Sequence, residues 1–369
     1  MHMKRVLATA GITLLLFAAT AQTSLPRATP ESQGVSSQAV LTFLQAAGHS
    51  KNEFHSFMLL RHGRVVAEGW WKPNGPDVPH ALYSVSKSFT STAIGLAVTE
   101  GKLRVSDKVI SFFPNDLPEH VSADLAAMTV KDLLTMQVGQ DPDPTASVTR
   151  PDSDWAKAFF RLPLPHAPGT TFLYNSLGVY ILSAIVQKVT GEKVIDYLRP
   201  RLFDPLGITG ETWDESPQHI NTGGWGLLLK TEDMAKFGQL YLQKGRWKDR
   251  QLIPGAWVAE ATASYSDRGP SWSWSTPRDS SDWQQGYGYL FWHCRHGAFR
   301  ADGAMGQYII VMPEQDAVLA ITCKTQDMQD ELNLVWRFLL PGLRGGTLPA
   351  DPAGNAALRS LEASLTISH

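Results

Sequence analysis

Cysteine is almost missing from this chain: Cys294 and Cys323 are the only two in 369 residues. A fold stapled by several disulfides is therefore excluded, and a single bridge is permitted but not required. Metal-ligand spacing is also lacking. The eleven histidines include no His-x-x-x-His joined to a carboxylate, and His293-Cys294-Arg295-His296 alone makes a poor zinc site. No glycine-rich phosphate loop follows a strand-like run, so no metal or organic cofactor is implied. Runs of like charge, low-complexity tracts and internal repeats are absent. The net charge of −2 gives no footprint for nucleic acid. Beyond the first twenty or so residues, no apolar run approaches the length needed to cross a bilayer.

What is present is an ordinary globular composition, 43% hydrophobic and 18% charged. A chain of this length buries about 75% of its surface on folding. The N-terminus stands apart. Lys4-Arg5 precede an apolar run from Val6 to Ala19, and Ala19-Thr20-Ala21 forms a small-x-small cleavage site. Residues 1–21 read as a secretory signal peptide. Residues 22–369 then form a single domain with no stable membrane anchor, exported to the periplasm or secreted.

Within that domain one stretch organises the rest: Leu82-Tyr83-Ser84-Val85-Ser86-Lys87-Ser88-Phe89-Thr90-Ser91, with the only Ser-x-x-Lys of the chain. The Ala-, Ile-, Leu- and Val-rich run that follows stops at Gly101, as a buried helix with a glycine stop does. Ser84 sits at its mouth with Lys87 one turn later on the same face. A serine hydroxyl needs a neighbouring base, and a lysine becomes one when burial lowers its pKa. The free N–H groups of a helix mouth suit a developing oxyanion.

The surroundings supply a frame. Ser36 to Gly48 has helix spacing with a serine cap and a glycine stop. Phe54–Leu60 and Arg64–Trp71, joined at His62-Gly63, read as a β-hairpin. Thr129 to Asp132 looks like a capping box opening a short helix through Met136. Gln137 to Thr149 is a long polar loop, Asp154 to Phe160 a short helix, and Leu177 to Val189 a helix ended by Gly191. Thr231 caps a helix through Lys244. Between the last two the chain crosses at Thr222-Gly223-Gly224-Trp225-Gly226. Tyr287–Cys294, Ala298–Gly303, Gln307–Met312 and Val318–Cys323 read as an antiparallel meander, and Gln326–Leu340 as a closing amphipathic helix. Early and late strands most economically share one sheet. The expected fold is α/β (α+β): a mostly antiparallel sheet flanked by helices, built from about 22–83 and 266–369, with a mainly helical part over about 84–265. The active site belongs at their seam.

Ser84-Val85-Ser86-Lys87, then Tyr174-Asn175-Ser176, then Ala301-Asp302-Gly303-Ala304-Met305-Gly306-Gln307 resemble three motifs of the serine β-lactamase and penicillin-binding-protein superfamily. The similarity is nearest to the branch of class C β-lactamases, esterases, D-aminopeptidases and 6-aminohexanoate-dimer hydrolases. Leu133-Leu134-Thr135-Met136 and Gly223-Gly224-Trp225-Gly226-Leu227 agree, and the likeness runs from about residue 28 to 340. It implies that Ser84 is the nucleophile, that Lys87 and Tyr174 are general base and acid, and that the N–H groups of Ser84 and Ala304 form the oxyanion hole. Ser176, Trp225, Asp302 and Gly303 fall at substrate-binding positions. Read alone, Tyr174 is either an ordinary buried aromatic or, beside a cation, a phenol biased towards phenolate.

Two departures from the family pattern matter. Ser176 stands where β-lactamases end the second motif in Asn. The third motif, usually Lys-Thr-Gly, reads Ala301-Asp302-Gly303, so a cation is lost and an anion gained. Either Asp302 faces the pocket and repels carboxylates, or a hydrogen bond within the hairpin holds it away. Arg295 and Arg300 read as solvated, and Trp70, Trp225 and Trp292 are candidates to line a pocket. The expected activity is hydrolysis of small esters or amides through an acyl-enzyme. The alternatives are a cell-wall DD-peptidase or β-lactamase, and a silent protein that binds or senses a ligand. Cys294 and Cys323, ending the first and fourth strands of a meander, should lie too far apart to bond.

Overall fold

The six-stranded antiparallel sheet runs in the order Arg64–Trp70, Glu53–Arg61, Ala317–Lys324, Gln307–Met312, Phe299–Gly303 and Trp292–His293. The computed structural model describes residues 24–151, 153–266 and 269–367, so the expected signal peptide lies outside the described residues. Early and late strands share the sheet because Glu53–Arg61 pairs with both its hairpin partner and Ala317–Lys324.

Each face is covered for a legible reason. Phe54 and Phe57 would point to opposite faces of a regular strand. A register shift between Phe54 and Ser56 turns both onto Phe43 of the Ser37–His49 helix, at 6.1 Å ring separation each. On the other face lies the Thr231–Leu242 helix. It approaches closely at Gly238, where a Cβ would sit 2.5 Å from Val318. Thr231 does not cap that helix as its sequence position suggested. Lys230 holds the cap position without a side-chain bond, and the Thr231 hydroxyl instead meets Ser56 at 2.7 Å. Because this helix packs on the sheet, it sits outside the helical part expected to reach residue 265. That part centres on the Ser86–Thr99 and Ser176–Thr190 helices, which pack on each other.

Several boundaries move. The expected Tyr287–Cys294 strand shrinks to Trp292–His293, because Gly286 and Leu290 adopt positive φ and break it. Gln137–Thr149 contains a helical turn at Thr145–Thr149. Gly48 lies inside the first helix rather than stopping it. The capping box forms as read, with Thr129 and Asp132 bonded reciprocally, over a helix that ends at Leu134. The closing helix starts at Met328, and a further helix at Pro352–Ser364, not foreseen in the sequence, packs on the first helix. Cys294 and Cys323 are buried and unbonded, as expected, with two strands between their positions in the sheet. No helix among the described residues is long and apolar enough to cross a membrane.

Candidate active site

Ser84 sits in the helical turn Tyr83–Val85, which runs straight into the Ser86–Thr99 helix. The turn is braced by polar side chains as well as by the buried Leu82 and Val85. Ser86 donates to the carbonyl of Tyr83 and accepts from the N–H of Leu227, while Tyr83 holds a left-handed φ of 47°. Deeper in, Ser88 and Thr90 bond the carbonyls of Leu290 and Gly223. These serines and threonines are buried, yet each hydroxyl has a partner, which is the condition for polar groups in a core.

Lys87, one turn on, is 1% exposed. Its Nζ lies 2.8 Å from Ser84 Oγ, 2.9 Å from Ser176 Oγ and 2.7 Å from the carbonyl oxygen of Gly224. No carboxylate touches it. Burial pushes the amine down to about 7, although Asp143 and Asp302 pull the other way. A neutral amine has two N–H donors and one lone pair. It can donate to Gly224 and Ser176 and still accept the proton of Ser84. Ser176, the departure in the second motif, thus keeps a hydroxyl on the lysine. Gly224 belongs to the glycine-rich crossing, where a Cβ would lie 3.0 Å from the Ser176 carbonyl oxygen and 3.6 Å from Lys87 Nζ.

The Tyr174 ring lies 4.8 Å from Lys87 Nζ and packs against Trp292. Its phenol is pushed well above the usual range, first by burial and then by Asp302, against the pull of a hydrogen bond with Ser84. The phenolate bias expected from a neighbouring cation is therefore reversed: burial and Asp302 dominate, and the lysine itself loses its charge as the pH rises through about 7.

The third motif completes the arrangement. Ala304 begins the tight turn after the Phe299–Gly303 strand, with Met305 and Gly306 at positive φ. Gly303 is needed because a Cβ there would lie 2.2 Å from the Leu82 carbonyl oxygen. The turn therefore presses on the segment that carries Ser84. Gln307 holds the turn from behind. Its side-chain Nε2 donates to the carbonyls of Ala304 at 3.3 Å and Cys323 at 2.5 Å, and its Oε1 accepts from the Cys323 N–H at 3.4 Å. The backbone ladder stops one residue earlier, at Tyr308 and Ile321. Gln307 thus uses its side-chain amide as one more rung.

Arg300 is not solvated. It is fully buried, on the same face of the strand as Asp302, and both Nε and Nη2 lie 2.8 Å from Asp302 Oδ2. Burial disfavours its cation, but the acidic groups around it, Asp302 among them, hold its pKa above the ordinary value. The lost cation of the third motif has a counterpart one residue upstream, in Arg300, and its charge is taken up by the new anion. Arg295 is likewise paired, with Asp282 at 2.9 Å.

Ser84, Tyr174, Asp302 and Ala304 open on one cavity of about 410 Å³, walled also by Trp283, Trp292 and Met328. Ser176 lies behind Lys87, and Gly303 against Leu82. Trp225 does not reach the cavity. Its ring packs 5.9 Å from Trp155 in the helical part, and its carbonyl is held by Trp213 and Thr222. Of the other tryptophan candidates, Trp292 lines the cavity and Trp70 does not. Sequence reading missed Ser273, Thr276, Ser281 and Trp283. The signal available was the length of the connection between the helical part and the last strands, since long connections in compact domains are often functional.

A family model described as Beta-lactamase matches residues 55–340. The chain belongs to the beta-lactamase family. Relatives within it diverge in function. The chain is 26% identical over 311 residues to a 6-aminohexanoate-dimer hydrolase of Paenarthrobacter ureafaciens, covering 78% of this chain and 76% of that one. It is 26% identical over 310 residues to penicillin-binding protein 4 of Amycolatopsis lactamdurans, covering 73% and 79%. Among solved structures, EstCE1, a hydrolase with promiscuous acyltransferase activity, superposes with a TM-score of 0.63 at 16% identity, covering 80% and 99%. A beta-lactamase from Mycobacterium bovis superposes at 0.59 with 19% identity, covering 82% and 100%. This beta-lactamase family member is a hydrolase of the serine type, with the family's mixed fold.

Proposed function

We propose that the chain hydrolyses small esters or amides through an acyl-enzyme on Ser84. The observation that carries this reading is the 2.8 Å contact between Ser84 Oγ and a buried Lys87 amine pushed down to about 7. Lys87 Nζ takes the hydroxyl proton as Ser84 Oγ attacks the substrate carbonyl carbon. The N–H groups of Ser84 and Ala304 stabilise the oxyanion, a contribution often worth ~3 kcal/mol per donor. The neutral Tyr174 phenol gives its proton to the leaving oxygen or nitrogen and is reprotonated by the Lys87 ammonium. The carbonyl re-forms, the leaving group departs, and water releases the acyl chain by the reverse route.

A DD-peptidase or β-lactamase acts on substrates that carry a carboxylate. No Lys, Arg or His is among the described residues lining the cavity, and the Arg300 charge is taken up by Asp302. Penicillins and cephalosporins should therefore be poor substrates. The reason is the want of a free cation, not repulsion by a bare Asp302. A silent binding protein has no use for a depressed lysine held on a serine. Residues 1–21 support export, and the mature N-terminus at Gln22 is the expected result of sequencing the exported protein.

Mass spectrometry after an activated ester tests the central claim. The wild type should gain one acyl group on Ser84, and Ser84→Ala should gain none and lose all turnover. An adduct on Ser84→Ala would remove Ser84 from the role. Parallel rates on p-nitrophenyl esters, D-amino-acid amides and nitrocefin then rank the substrate classes.

A further inference from the structure

Asp302 is 8% exposed, and it spends only one of its two carboxylate oxygens on Arg300. Both guanidinium contacts fall on Oδ2. Oδ1 has no hydrogen-bond partner among the described residues, and it is not one of the fully sealed partnerless atoms. Asp302 lines the cavity that holds Ser84, so this oxygen looks into it. Arg300 does not line that cavity. It lies beside Asp302 on the same face of the strand, fixed by the carbonyls of Asp282 and His293 and by the rings of Trp283 and Trp292.

We propose that Asp302 Oδ1 is a substrate subsite for a neutral hydrogen-bond donor, an uncharged hydroxyl or amide N–H. This rests on the acyl-enzyme reading and names the substrate class of the same cavity. The chemistry follows from the pair. A carboxylate oxygen only accepts, so it meets a donor and rejects another carboxylate. An ammonium group gains little there, because the adjoining guanidinium offsets most of the carboxylate's charge. An uncharged donor keeps the full directional bond to a charged acceptor at small desolvation cost. Position fits as well. Asp302 stands two residues before Ala304, near the end of the strand that leads into the turn, ~6.6 Å away along an extended chain. The donor therefore lies a few bonds from the scissile carbonyl.

The test compares kcat/KM for isosteric pairs in the wild type. One pair is p-nitrophenyl 3-hydroxybutyrate against p-nitrophenyl 3-methylbutyrate, and the other is 2-hydroxyethyl butyrate against propyl butyrate. In at least one pair the hydroxyl-bearing ester should be preferred by about tenfold or more, because a site built to bond a donor rejects the analogue lacking it. p-Nitrophenyl 3-aminobutyrate should not exceed the 3-hydroxy ester. In Asp302→Asn the amide oxygen must face Arg300, which turns the NH₂ to the cavity. The hydroxyl preference should then fall to about one, and the anionic mono-p-nitrophenyl succinate should gain about tenfold over the wild type. Should Asp302→Asn fail to fold, Arg300→Met with Asp302→Leu removes the whole pair and should also bring the ratio to about one. Wild-type ratios within twofold of one in both pairs overturn the subsite, as does a preference that survives these substitutions. A Ser84 adduct from the 3-methylbutyrate ester, measured alongside, separates the outcomes. With the adduct and flat ratios, the subsite alone fails; with no adduct, the acyl-enzyme reading fails first.

Discussion

Two buried cations flank this cavity, and the fold treats them in opposite ways. Lys87, at the helix mouth, is surrounded by two hydroxyls and a carbonyl and is pushed down to about 7. Arg300, on the fifth of the six strands, touches a carboxylate and keeps its charge. The difference lies in the side chains themselves. An ammonium can shed its proton and so escape the cost of burial, whereas a guanidinium cannot and must be given a counter-charge. One region therefore holds an amine able to accept a proton, and the other a neutral, rigid wall.

The comparison breaks most visibly if Lys87 is made to behave like Arg300. Lys87→Arg places a permanent cation beside Ser84 with no carboxylate in contact. It should cut kcat/KM by about 10² to 10⁴, the range for loss of a general base. Retention of more than a tenth of the activity would mean that proton abstraction by this side chain is not required.

Breaking the other side should register as stability. Arg300→Met leaves the Asp302 charge buried and unpaired, which costs about 3–5 kcal/mol in denaturant unfolding. Arg300→Met with Asp302→Leu should recover most of that. Equal losses in the single and double variants would show that packing against Trp283 and Trp292, not charge balance, is what Arg300 supplies.

A smaller effect is expected from Gln307→Met, which fits the space but cannot bond the carbonyl of Ala304. With Ala304 loosened, kcat should fall about tenfold, part of the 10² to 10³ lost when a donor is removed outright. KM should change little, because the oxyanion forms after binding. A change confined to KM would place Gln307 in substrate binding instead.

The pH profile sharpens the lysine side. Only the deprotonated amine can take the Ser84 proton, so log kcat/KM should rise with pH up to about 7 and level off above it. Asp143 and Asp302 both favour the ammonium form. Asp143→Asn removes one of them and should move the rising limb to lower pH, by roughly a few tenths of a unit because Asp143 is exposed and screened. A limb that stays fixed or moves upward would show that Asp143 does not act on Lys87.

The lysine side was open to reading in the chain, and the arginine side was not. Ser84 and Lys87 sit three residues apart just before an apolar run, and a single helical turn is enough to make them meet. The glycine-rich crossing at 222–226 and the hairpin of Glu53–Trp70 are equally local patterns. Arg300 and Asp302 are also close in sequence, and strand alternation puts them on one face. What hid their pairing was burial, since charged residues in a hairpin are usually exposed. Burial also decided the Tyr174 phenol against its neighbouring cation. The direction of the Trp225 ring depends on Trp155, seventy residues away, and no local pattern carries that. The wall around Ser273 to Trp283 has neither helical nor strand periodicity to announce it.

Every residue but proline carries the same backbone N–H, so most substitutions at an oxyanion-hole position leave the donor in place and selection has little there to grade. The rung supplied by Gln307 alters that. Because the Gln307 side chain joins the main-chain bond from Thr325 N–H to the Met305 carbonyl in tying the Ala304 turn to the sheet, the stiffness of the N–H proposed as an oxyanion donor becomes in part a heritable and graded property. On the proposed mechanism, variation at this single position would tighten or relax the grip on the transition state while Ser84, Lys87 and Tyr174 stay untouched.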